Sequence, residues 1–261
     1  MTAATIPAIL DVRRPYESEP AITALGHTTA TERDLYQRIV AEATAQAKRL
    51  ARPVAVLDIC SAGGGSACHV SNAVTCSSLV LVDIDETMCA AARNRDWPIR
   101  NVSVQCADAV QWRSPEQFDL ILANSAYHHI EDCNKVGFLA NLAELLATDG
   151  RIIVGDHFLP DYSDGDLEAY RASVLLFYTQ RIGELEGRGD SKDAVDVIRQ
   201  TGRYCWEQRY EFQVSMRVFK RDVAAAKLVS ENAVRVWPQS DSSPLPDESG
   251  SYCVVLRRLD P

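Results

Sequence analysis

The sequence predicts an α/β fold in which a mostly parallel sheet is covered by helices on both faces. Short apolar runs alternate with segments of helical spacing between residues 54 and 155. The runs contain few polar residues, as is typical of strands buried on both faces of a parallel sheet. The first run is followed by the cluster Gly63-Gly64-Gly65, and the second ends on Asp83. Small residues between a strand and a helix, with an acid about twenty positions later, indicate a nucleoside-binding site.

The first predicted element is a helix over residues 31–50. Leu35, Ile39 and Ala43 recur on one helical stripe, and Thr31 is a possible N-cap. A helical N-terminal segment, residues 1–50, is therefore expected to precede the sheet.

Five strands and three helices are then predicted to alternate. The strands are Val54–Ile59, Leu79–Asp83, Val102–Cys106, Phe118–Ala123 and Arg151–Gly155. The helices lie near Ser66–Thr75, Glu86–Arg95 and Lys135–Ala147. Asp85 and Asp132 occupy positions where they could cap the second and third helices. Asp149-Gly150 is expected to turn the chain into the fifth strand. These elements form a predicted core over residues 51–160.

The alternation stops after Pro160. An aromatic-rich helical stripe begins at Leu167, and a polar stretch from Gly187 leads to a second helix-like run that ends near Arg199. We interpret residues 161–207 as a helical cap inserted after the fifth strand.

The C-terminal part, residues 208–261, is predicted to complete the core sheet. Its strand signals are Arg209–Val214, Ala233–Trp237 and Tyr252–Leu256. The segment 238–250 is rich in Ser, Pro and Asp, and we expect it to be a mobile connection.

The composition and charge of the chain argue against some classes of partner. The chain has 261 residues, a formal net charge of −9 and a pI of about 5.1. Phosphate neutralisation needs a basic face, so nucleic acid is not an expected partner. No apolar run approaches the roughly 18 residues that span a bilayer, and the N-terminus lacks a signal-peptide pattern. We therefore expect a cytoplasmic protein without a membrane partner.

The eight cysteines are scattered without a C-x-x-C pair, which favours reduced, structural thiols.

Five stretches at strand ends follow one another in order. They are Asp58–Gly64, Val82–Asp85, Cys106–Ala109, Phe118–Asn124 and Leu145–Val154. Together they resemble the motifs of the class I S-adenosylmethionine-dependent methyltransferases, most closely over residues 50–160. The resemblance implies a Rossmann-like, mostly parallel seven-stranded sheet and S-adenosylmethionine as the cofactor. Motifs from separate strand ends support one another because those ends converge on a single crevice.

The resemblance also implies a cofactor site. Asp83 is expected to hold the ribose hydroxyls and Asp108 the adenine amino group. The expected set is Asp58, Cys60, Ala62, Gly64, Asp83, Ile84, Ala107, Asp108, Ala109, Asn124, Ser125 and His129. Each of the three acids has a structural alternative: Asp58 could bind loop N–H groups, Asp83 could start a helix, and Asp108 could act as a cap.

Cys60 and Ala62 depart from the family pattern. The family usually has glycine at both positions, and non-glycine residues disfavour positive φ. We therefore expect ordinary backbone angles at Cys60 and Ala62.

Histidines supply the candidate catalytic groups. Three of the five, His128, His129 and His157, cluster near the expected mouth of the pocket. An imidazole titrates near neutral pH, so His157 or His128 is a candidate general base. His157 and His128 could each have a structural role instead. His128 or His129 could also contact the cofactor. No H-x-x-x-H spacing occurs, and no metal is predicted.

Aromatic side chains supply the candidate substrate pocket. Tyr127, Tyr162, Tyr170, Phe177 and Tyr178 could line an apolar site over the carboxyl ends of the strands. The alternative is plain core packing, which an aromatic stripe at helical spacing also produces.

The resulting prediction is a methyltransferase that acts on an oxygen or nitrogen, less readily a carbon, of a small organic molecule. It could also form a homodimer. One alternative is an NAD(P)-dependent oxidoreductase, although the dinucleotide fingerprint is incomplete because Gly63-x-Gly65 is followed by Cys68. The other is a protein that binds S-adenosylmethionine without methylating.

Overall fold

The computed structural model describes residues 6–10, 29–239, 245–246 and 248–259. Within them the strands are β1 Val54–Ile59, β2 Cys76–Asp83, β3 Val102–Cys106, β4 Phe118–Asn124, β5 Leu146–Phe158, β6 Leu228–Trp237 and β7 Gly250–Arg258. The α-helices are α1 Ala30–Leu50, α2 Gly65–Ala73, α3 Glu86–Arg93, α4 Lys135–Leu145, α5 Leu167–Arg188, α6 Lys192–Glu207 and α7 Met216–Ala225. None of these helices combines the length and the apolar character that a membrane crossing needs.

The seven strands form one sheet in the order β3-β2-β1-β4-β5-β7-β6. The first five are parallel, and β7 runs antiparallel to both β5 and β6. The predicted mostly parallel seven-stranded sheet is thus confirmed. β1 pairs with β2 on one side and β4 on the other, so the strand order reverses there. Ligands of open α/β sheets bind in the crevice that such a reversal opens at the carboxyl ends of the strands.

Helices cover both faces of the sheet. Leu35 and Ile39 of α1 and Val70 of α2 pack on one face. Phe138 of α4 and Phe219 of α7 belong to the core on the other face. A third cluster joins α5 and α6 to Leu10, Trp237 and Leu245. It gives the cap an apolar core of its own.

The predicted N-cap residues are confirmed for one of three helices. Asp85 caps α3, because its Oδ1 accepts from Thr87 N and Met88 N at 2.7 and 3.0 Å. Helix α1 is capped by Thr29 rather than Thr31, with Thr29 Oγ1 accepting from Glu32 N at 3.2 Å. The prediction for Asp132 is wrong: it lies in a 3₁₀ turn that precedes α4, where Asn134 holds the cap position.

The predicted strand Arg209–Val214 is also wrong. Its alternating apolar residues lie in an irregular segment whose hydrogen bonds go elsewhere: Phe212 N donates to His128 O at 2.7 Å, and Leu159 N donates to Val214 O at 3.0 Å. This segment, residues 208–214, continues into Ser215, which caps helix α7. The sequence prediction missed that helix.

The turn expected at Asp149-Gly150 is instead part of β5, which begins at Leu146. A register shift between Phe118 and Leu120 of β4 accommodates it. A Cβ at Gly150 would lie 2.7 Å from Phe118 O, so the two backbone segments approach there too closely for a side chain.

Much of the expected mobile connection, residues 240–244 and 247, lies outside the described residues.

Candidate active site

A cavity of about 1400 Å³ opens at the carboxyl ends of β1, β2, β4 and β5. The turn after β1 and the end of β2 form one part of its wall. Helices α5 and α6 of the cap and the segment 208–214 form the opposite part. The cavity therefore lies at the reversal of strand order, between the sheet and the cap.

The turn after β1 has unusual backbone geometry. Cys60 and Ala62 adopt φ of 53° and 44°, and Gly64 adopts 76°. The prediction of ordinary angles at Cys60 and Ala62 is therefore wrong. A non-glycine residue in this region costs on the order of 1–3 kcal/mol. Neighbouring hydrogen bonds hold the turn: Ser61 N donates to Val82 O at 3.0 Å, and Ala62 N donates to Asp83 Oδ2 at 2.7 Å.

Asp58 lies beneath this turn and is 1% exposed. Its Oδ2 accepts from Ala67 N, in the first turn of α2, at 3.1 Å. Burial raises the pKa of Asp58 to about 8, and the nearby Asp83 charge adds to the increase. This contact is the structural role that the sequence left open, although Asp58 also lines the cavity.

Asp83 and Asp108 lie at the ends of adjacent strands. Asp83 Oδ1 accepts from Asp85 N, and Asp108 Oδ1 accepts from Val110 N, both at 2.9 Å. Both carboxylates line the cavity and are partly exposed. Ile84, which follows Asp83 and also lines the cavity, is 71% exposed.

The lining fits a polar ligand with an apolar ring. Ser61 Oγ and Asn124 Oδ1 are buried at the wall without a hydrogen-bond partner among the described residues. Such groups gain a partner when a polar ligand binds. Asp83 and Asp108 supply acceptors for hydroxyl and amino groups, and Ile84 supplies an apolar surface. This donor and acceptor set suits a nucleoside that carries a polar tail.

Most of the expected cofactor residues are brought together at this cavity. Those in its wall are Asp58, Cys60, Ala62, Asp83, Ile84, Asp108, Ala109, Asn124, Ser125 and His129. Gly64 and Ala107 lie outside the lining. A Cβ at Gly64 would lie 2.8 Å from both Leu81 and Trp97, so that glycine serves packing behind the turn.

An Asp–His pair lies further along the same cavity. Asp156 on β5 is fully buried, and its Oδ1 lies 2.6 Å from His128 Nδ1. The carboxylate also accepts from the backbone N–H groups of Tyr127, His128 and His157 at 3.0, 3.3 and 2.7 Å. Burial alone would raise the pKa of Asp156, but the His128 partner outweighs it and lowers the value to about 2.

The Asp156 carboxylate is therefore ionised at neutral pH and can only accept. Nδ1 of His128 must carry the hydrogen, so in the neutral ring Nε2 is the acceptor. Nε2 lies 3.5 Å from Glu211 Oε2 in the segment 208–214. The imidazole is thus held by one carboxylate and faces another.

Two further imidazoles border this pair. His157 Nδ1 lies 2.6 Å from Ser251 Oγ, and its Nε2 lies 3.4 Å from Glu32 Oε1 of α1. His129 Nδ1 donates to Tyr210 O at 3.1 Å, and its ring centroid lies 4.2 Å from that of His128. All three histidines line the cavity.

Sequence reasoning missed Glu32, Glu211 and Arg181 in this wall. Glu32 follows Thr29 by three positions, a spacing that signals a helix N-terminus rather than a site. Glu211 lay in a predicted strand, and Arg181 lay within an apolar helical stripe. No local signal in the sequence distinguished Glu211 or Arg181 from solvent-exposed charges.

The candidate substrate aromatics divide into two groups. Phe177 and Tyr178 of α5 line the cavity. Tyr127 does not, because its ring is buried and its hydroxyl donates to Asp222 at 2.7 Å. Tyr162 and Tyr170 pack edge to face with centroids 5.2 Å apart, away from the lining. These three rings have packing roles, the alternative that helical spacing left open.

Two groups of side chains among the described residues have the proximity that a metal site needs. One comprises His128, His129 and Glu211, and the other Glu86, Cys89 and Cys106, each with ligand atoms within 4.8 Å of one another. The first group lines the cavity; the second borders the Asp83 turn, where Cys89 and Cys106 approach the carbonyls of Asp83 and Ile84 at 3.5 and 3.4 Å. The absence of a metal remains a prediction.

Comparison with known proteins agrees with this geometry. Residues 56–150 match the family model of a methyltransferase domain. No curated protein sequence matches the chain.

Solved structures share the fold at low identity. The plantazolicin methyltransferase BpumL, solved with a desmethylPZN analog and SAH, is 14% identical with a TM-score of 0.62, over 92% of this chain and 91% of BpumL. The N-methyltransferase NodS from Bradyrhizobium japonicum WM9 is 14% identical with a TM-score of 0.53, over 90% and 99%. A TehB-like methyltransferase from Corynebacterium glutamicum is 18% identical with a TM-score of 0.50, over 83% and 87%.

These likenesses show the fold, and the family model adds the methyltransferase domain at the strands that carry the site. The sequence predictions of fold, family and cofactor are confirmed at this level. Residues 56–150 therefore carry a methyltransferase domain of the class I S-adenosylmethionine-dependent kind, whose methyl donor is S-adenosylmethionine.

Proposed function

We propose that this protein transfers a methyl group from S-adenosylmethionine to an oxygen or nitrogen atom of a small, partly apolar organic molecule. One observation carries the proposal: the oriented Asp156–His128 pair opens into the same cavity as the strand-end acids Asp83 and Asp108. A nucleoside site and a proton acceptor in one enclosed space are what methylation of a protonated acceptor requires.

The strand ends supply the cofactor half of the site. Asp83 would accept from the ribose hydroxyls and Asp108 from the adenine amino group, with Ile84 against the base. Ser61 and Asn124 offer polar atoms to the methionine part. When bound, the cofactor supplies a methyl group already activated by a positively charged sulfur, so the protein contributes mainly orientation.

His128 is the proposed general base. Its Nδ1 is held by Asp156, so in the neutral ring Nε2 carries the lone pair, on the side of Glu211. Asp156 also stabilises the imidazolium that forms when Nε2 takes a proton. His157 is a second candidate, because its Nε2 lies beside Glu32 on the same wall.

The cap supplies the substrate half. Phe177 and Tyr178 contribute aromatic surface to the cavity, whereas Gln200, Thr201 and Gln213 contribute hydrogen-bonding groups. A volume of about 1400 Å³ accommodates a cofactor together with a second small molecule. This mixture supports a partly apolar metabolite as the substrate and gives no indication of a macromolecule.

Two measurements test the proposal. In a thermal-shift assay we expect S-adenosylmethionine to stabilise the protein and NADH to have no effect; stabilisation by NADH alone would contradict the proposal in favour of an oxidoreductase. With methyl-labelled S-adenosylmethionine and a small-molecule extract of the organism that encodes the protein, we expect a labelled product. Binding without labelled product would instead indicate a protein that binds the cofactor without methylating.

A further inference from the structure

Outside the cavity lining, two cysteines and a glutamate meet beside the end of β2. We propose that Glu86, Cys89 and Cys106 form a binding site for a thiophilic divalent metal ion such as Zn²⁺. The ligand atoms of these three side chains lie within 4.8 Å of one another. The inference goes beyond the proposed function and does not depend on it. It departs from the prediction of no metal, because that prediction rested on the spacing of residues along the chain.

The fold brings the three side chains together from two elements. Glu86 and Cys89 are three positions apart on helix α3, a spacing that places both on one face of the helix. Cys106 is the last residue of β3 and is paired in register with Asp83, the last residue of β2. Helix α3 packs against both β2 and β3. Its Glu86–Cys89 face therefore meets the end of β3, a convergence that no local motif in the sequence reveals.

The three groups are already in contact with one another. The Cys106 thiol shares hydrogen bonds with the Glu86 carboxylate and with Cys89, and both cysteines are free of disulfides. Ligand atoms of a tetrahedral Zn²⁺ site lie roughly 3.3–3.8 Å apart, as metal–ligand distances of about 2.0–2.3 Å require. Side-chain rotation is enough to bring atoms within 4.8 Å to that separation. As each sulfur–metal bond forms, the thiol releases its proton to solvent, and the metal replaces the hydrogens that join the three groups.

The ligand types favour a thiophilic metal. Thiolate sulfur selects Zn²⁺ and similar ions, whereas Mg²⁺ and Ca²⁺ require oxygen ligands. Cys89 is 0% exposed, whereas Glu86 and Cys106 are exposed. The ion would thus be held from inside by one sulfur and reached from solvent on the opposite side. Three protein ligands leave one tetrahedral position for water, so the proposed ion is exchangeable.

Arg93 is the competitor for the glutamate. Its Nη1 lies 2.5 Å from Glu86 Oε1, and the two side chains are 43% and 67% exposed. Such an exposed ion pair contributes at most about 1 kcal/mol, so it does not prevent the carboxylate from binding a metal ion.

The proposed site adjoins the wall of the cavity without lining it. Cys89 Sγ lies 3.5 Å from Asp83 O, and Cys106 Sγ lies 3.4 Å from Ile84 O. Asp83 and Ile84 themselves line the cavity. A bound ion would join α3 to the end of β3 across this turn. Because the unfolded chain does not hold the three ligands together, the ion should stabilise the folded protein.

The test uses the full-length protein, reduced with a phosphine and stripped of metal with EDTA that is then removed, and Co²⁺ as the probe. We expect the near-ultraviolet sulfur-to-cobalt charge-transfer absorption that thiolate ligands produce, saturating at a single equivalent of Co²⁺ and disappearing when Zn²⁺ displaces it. Cobalt bound by His128, His129 and Glu211 would lack this absorption. Its absence from the parent protein would overturn the inference.

Two serine variants locate the site. Cys106→Ser changes an exposed side chain, and we expect it to weaken Co²⁺ binding at least about tenfold, because each ligand supplies part of the affinity. Cys133→Ser is the matched control: Cys133 is also exposed and lies 3.9 Å from Glu131 Oε2, but it belongs to neither metal-ligand group of the described residues. This control should bind Co²⁺ as the parent protein does. Full absorption and affinity in Cys106→Ser, or their loss in Cys133→Ser alone, would overturn the inference.

Thermal unfolding gives a second, independent measurement on the same proteins. We expect Zn²⁺ to raise the Tm of the parent protein and of Cys133→Ser, and to leave that of Cys106→Ser unchanged. Circular dichroism without metal verifies that each variant is folded. An equal rise of Tm in all three proteins would place the metal elsewhere and overturn the inference.

Discussion

The carboxylate of Asp83 organises two turns of the backbone while it remains open to the cavity. Its oxygens accept from Ala62 N and Asp85 N at 2.7 and 2.9 Å. Each carboxylate oxygen can accept a second hydrogen bond, so these contacts leave capacity for ribose hydroxyls. The same residue therefore couples the strained turn after β1 to cofactor binding.

Asp83→Ala should weaken binding of S-adenosylhomocysteine at least tenfold, measured by titration calorimetry. Each charge-assisted hydrogen bond that is lost is worth roughly 1.5–3 kcal/mol. Asp85→Ala is the control in the same turn: it should cost about 1 kcal/mol of stability through the lost cap and leave affinity unchanged. Unchanged affinity in Asp83→Ala would remove Asp83 from the proposed site.

The histidines have different expected roles in turnover. We expect His128→Gln to lower kcat by about 10²–10⁴, the usual contribution of a general base. His157→Ala should also reduce kcat more than it reduces the affinity for cofactor. The loss of kcat should be smaller than in His128→Gln, because the His157 ring lies beside the Asp156–His128 pair and is not part of it. Calorimetry with S-adenosylhomocysteine supplies the affinity control. A variant of His157 that loses affinity but retains kcat would move this residue to the cofactor shell.

At the scale of elements, the cap depends on the crossing of α5 and α6. Gly202 of α6 lies against Tyr178 of α5, and a Cβ there would approach the Tyr178 ring to 2.7 Å. Tyr178 also lines the cavity, so this crossing links cap packing to the shape of the substrate pocket.

Gly202→Ala should therefore destabilise the protein by about 1–3 kcal/mol through overpacking and alter the KM for substrate more than the affinity for cofactor. Gly183→Ala in α5 is the matched control, because no atom of the residues that the structure describes lies within 4 Å of the added Cβ. That variant should gain up to about 1 kcal/mol from helix propensity. Thermal unfolding measures both changes, and equal stability of the two variants would contradict the proposed crossing.

At the scale of the whole molecule, two buried acids shape the dependence of stability on pH. The pKa of Asp58 is raised by burial to about 8. Between the unfolded value of about 4 and pH 8, the folded protein retains a proton that the unfolded chain releases, so stability falls as pH rises. The pKa of Asp156 is lowered to about 2, so its contribution is lost as pH falls from about 4 to 2.

We expect Asp58→Asn to become more stable relative to the parent protein as pH rises from about 4 to 8, by a few kcal/mol at the upper end. Asparagine retains an oxygen that can accept from Ala67 N, so the α2 contact survives. Urea unfolding of the ligand-free protein across this range measures the difference. A constant difference between the two proteins at all pH values would contradict the buried, protonated state of Asp58.

Much of this molecule was predictable from local patterns. Five strands of the parallel core and the acids at their ends follow from contiguous apolar runs. The segment 208–214 shows the limit: its alternation is real, but its hydrogen bonds go to His128 and Leu159 instead of a sheet edge. The turn at Cys60 and Ala62 shows a second limit of prediction from local sequence, because surrounding hydrogen bonds override the intrinsic preference of these residues for negative φ. The expected homodimer, the cytoplasmic location and the four-part division of the chain remain predictions.

The sequence by itself determined the succession of the core strands along the chain, the family resemblance and the strand-end acids, because each depends on residues adjacent along the chain. Only the tertiary structure decided which distant side chains meet at the inner end of the cavity. Glu32, His128, Asp156 and Glu211 come from α1, the turn after β4, β5 and an irregular segment. Their meeting depends on packing of the cap and helices against the sheet, which no local spacing encodes.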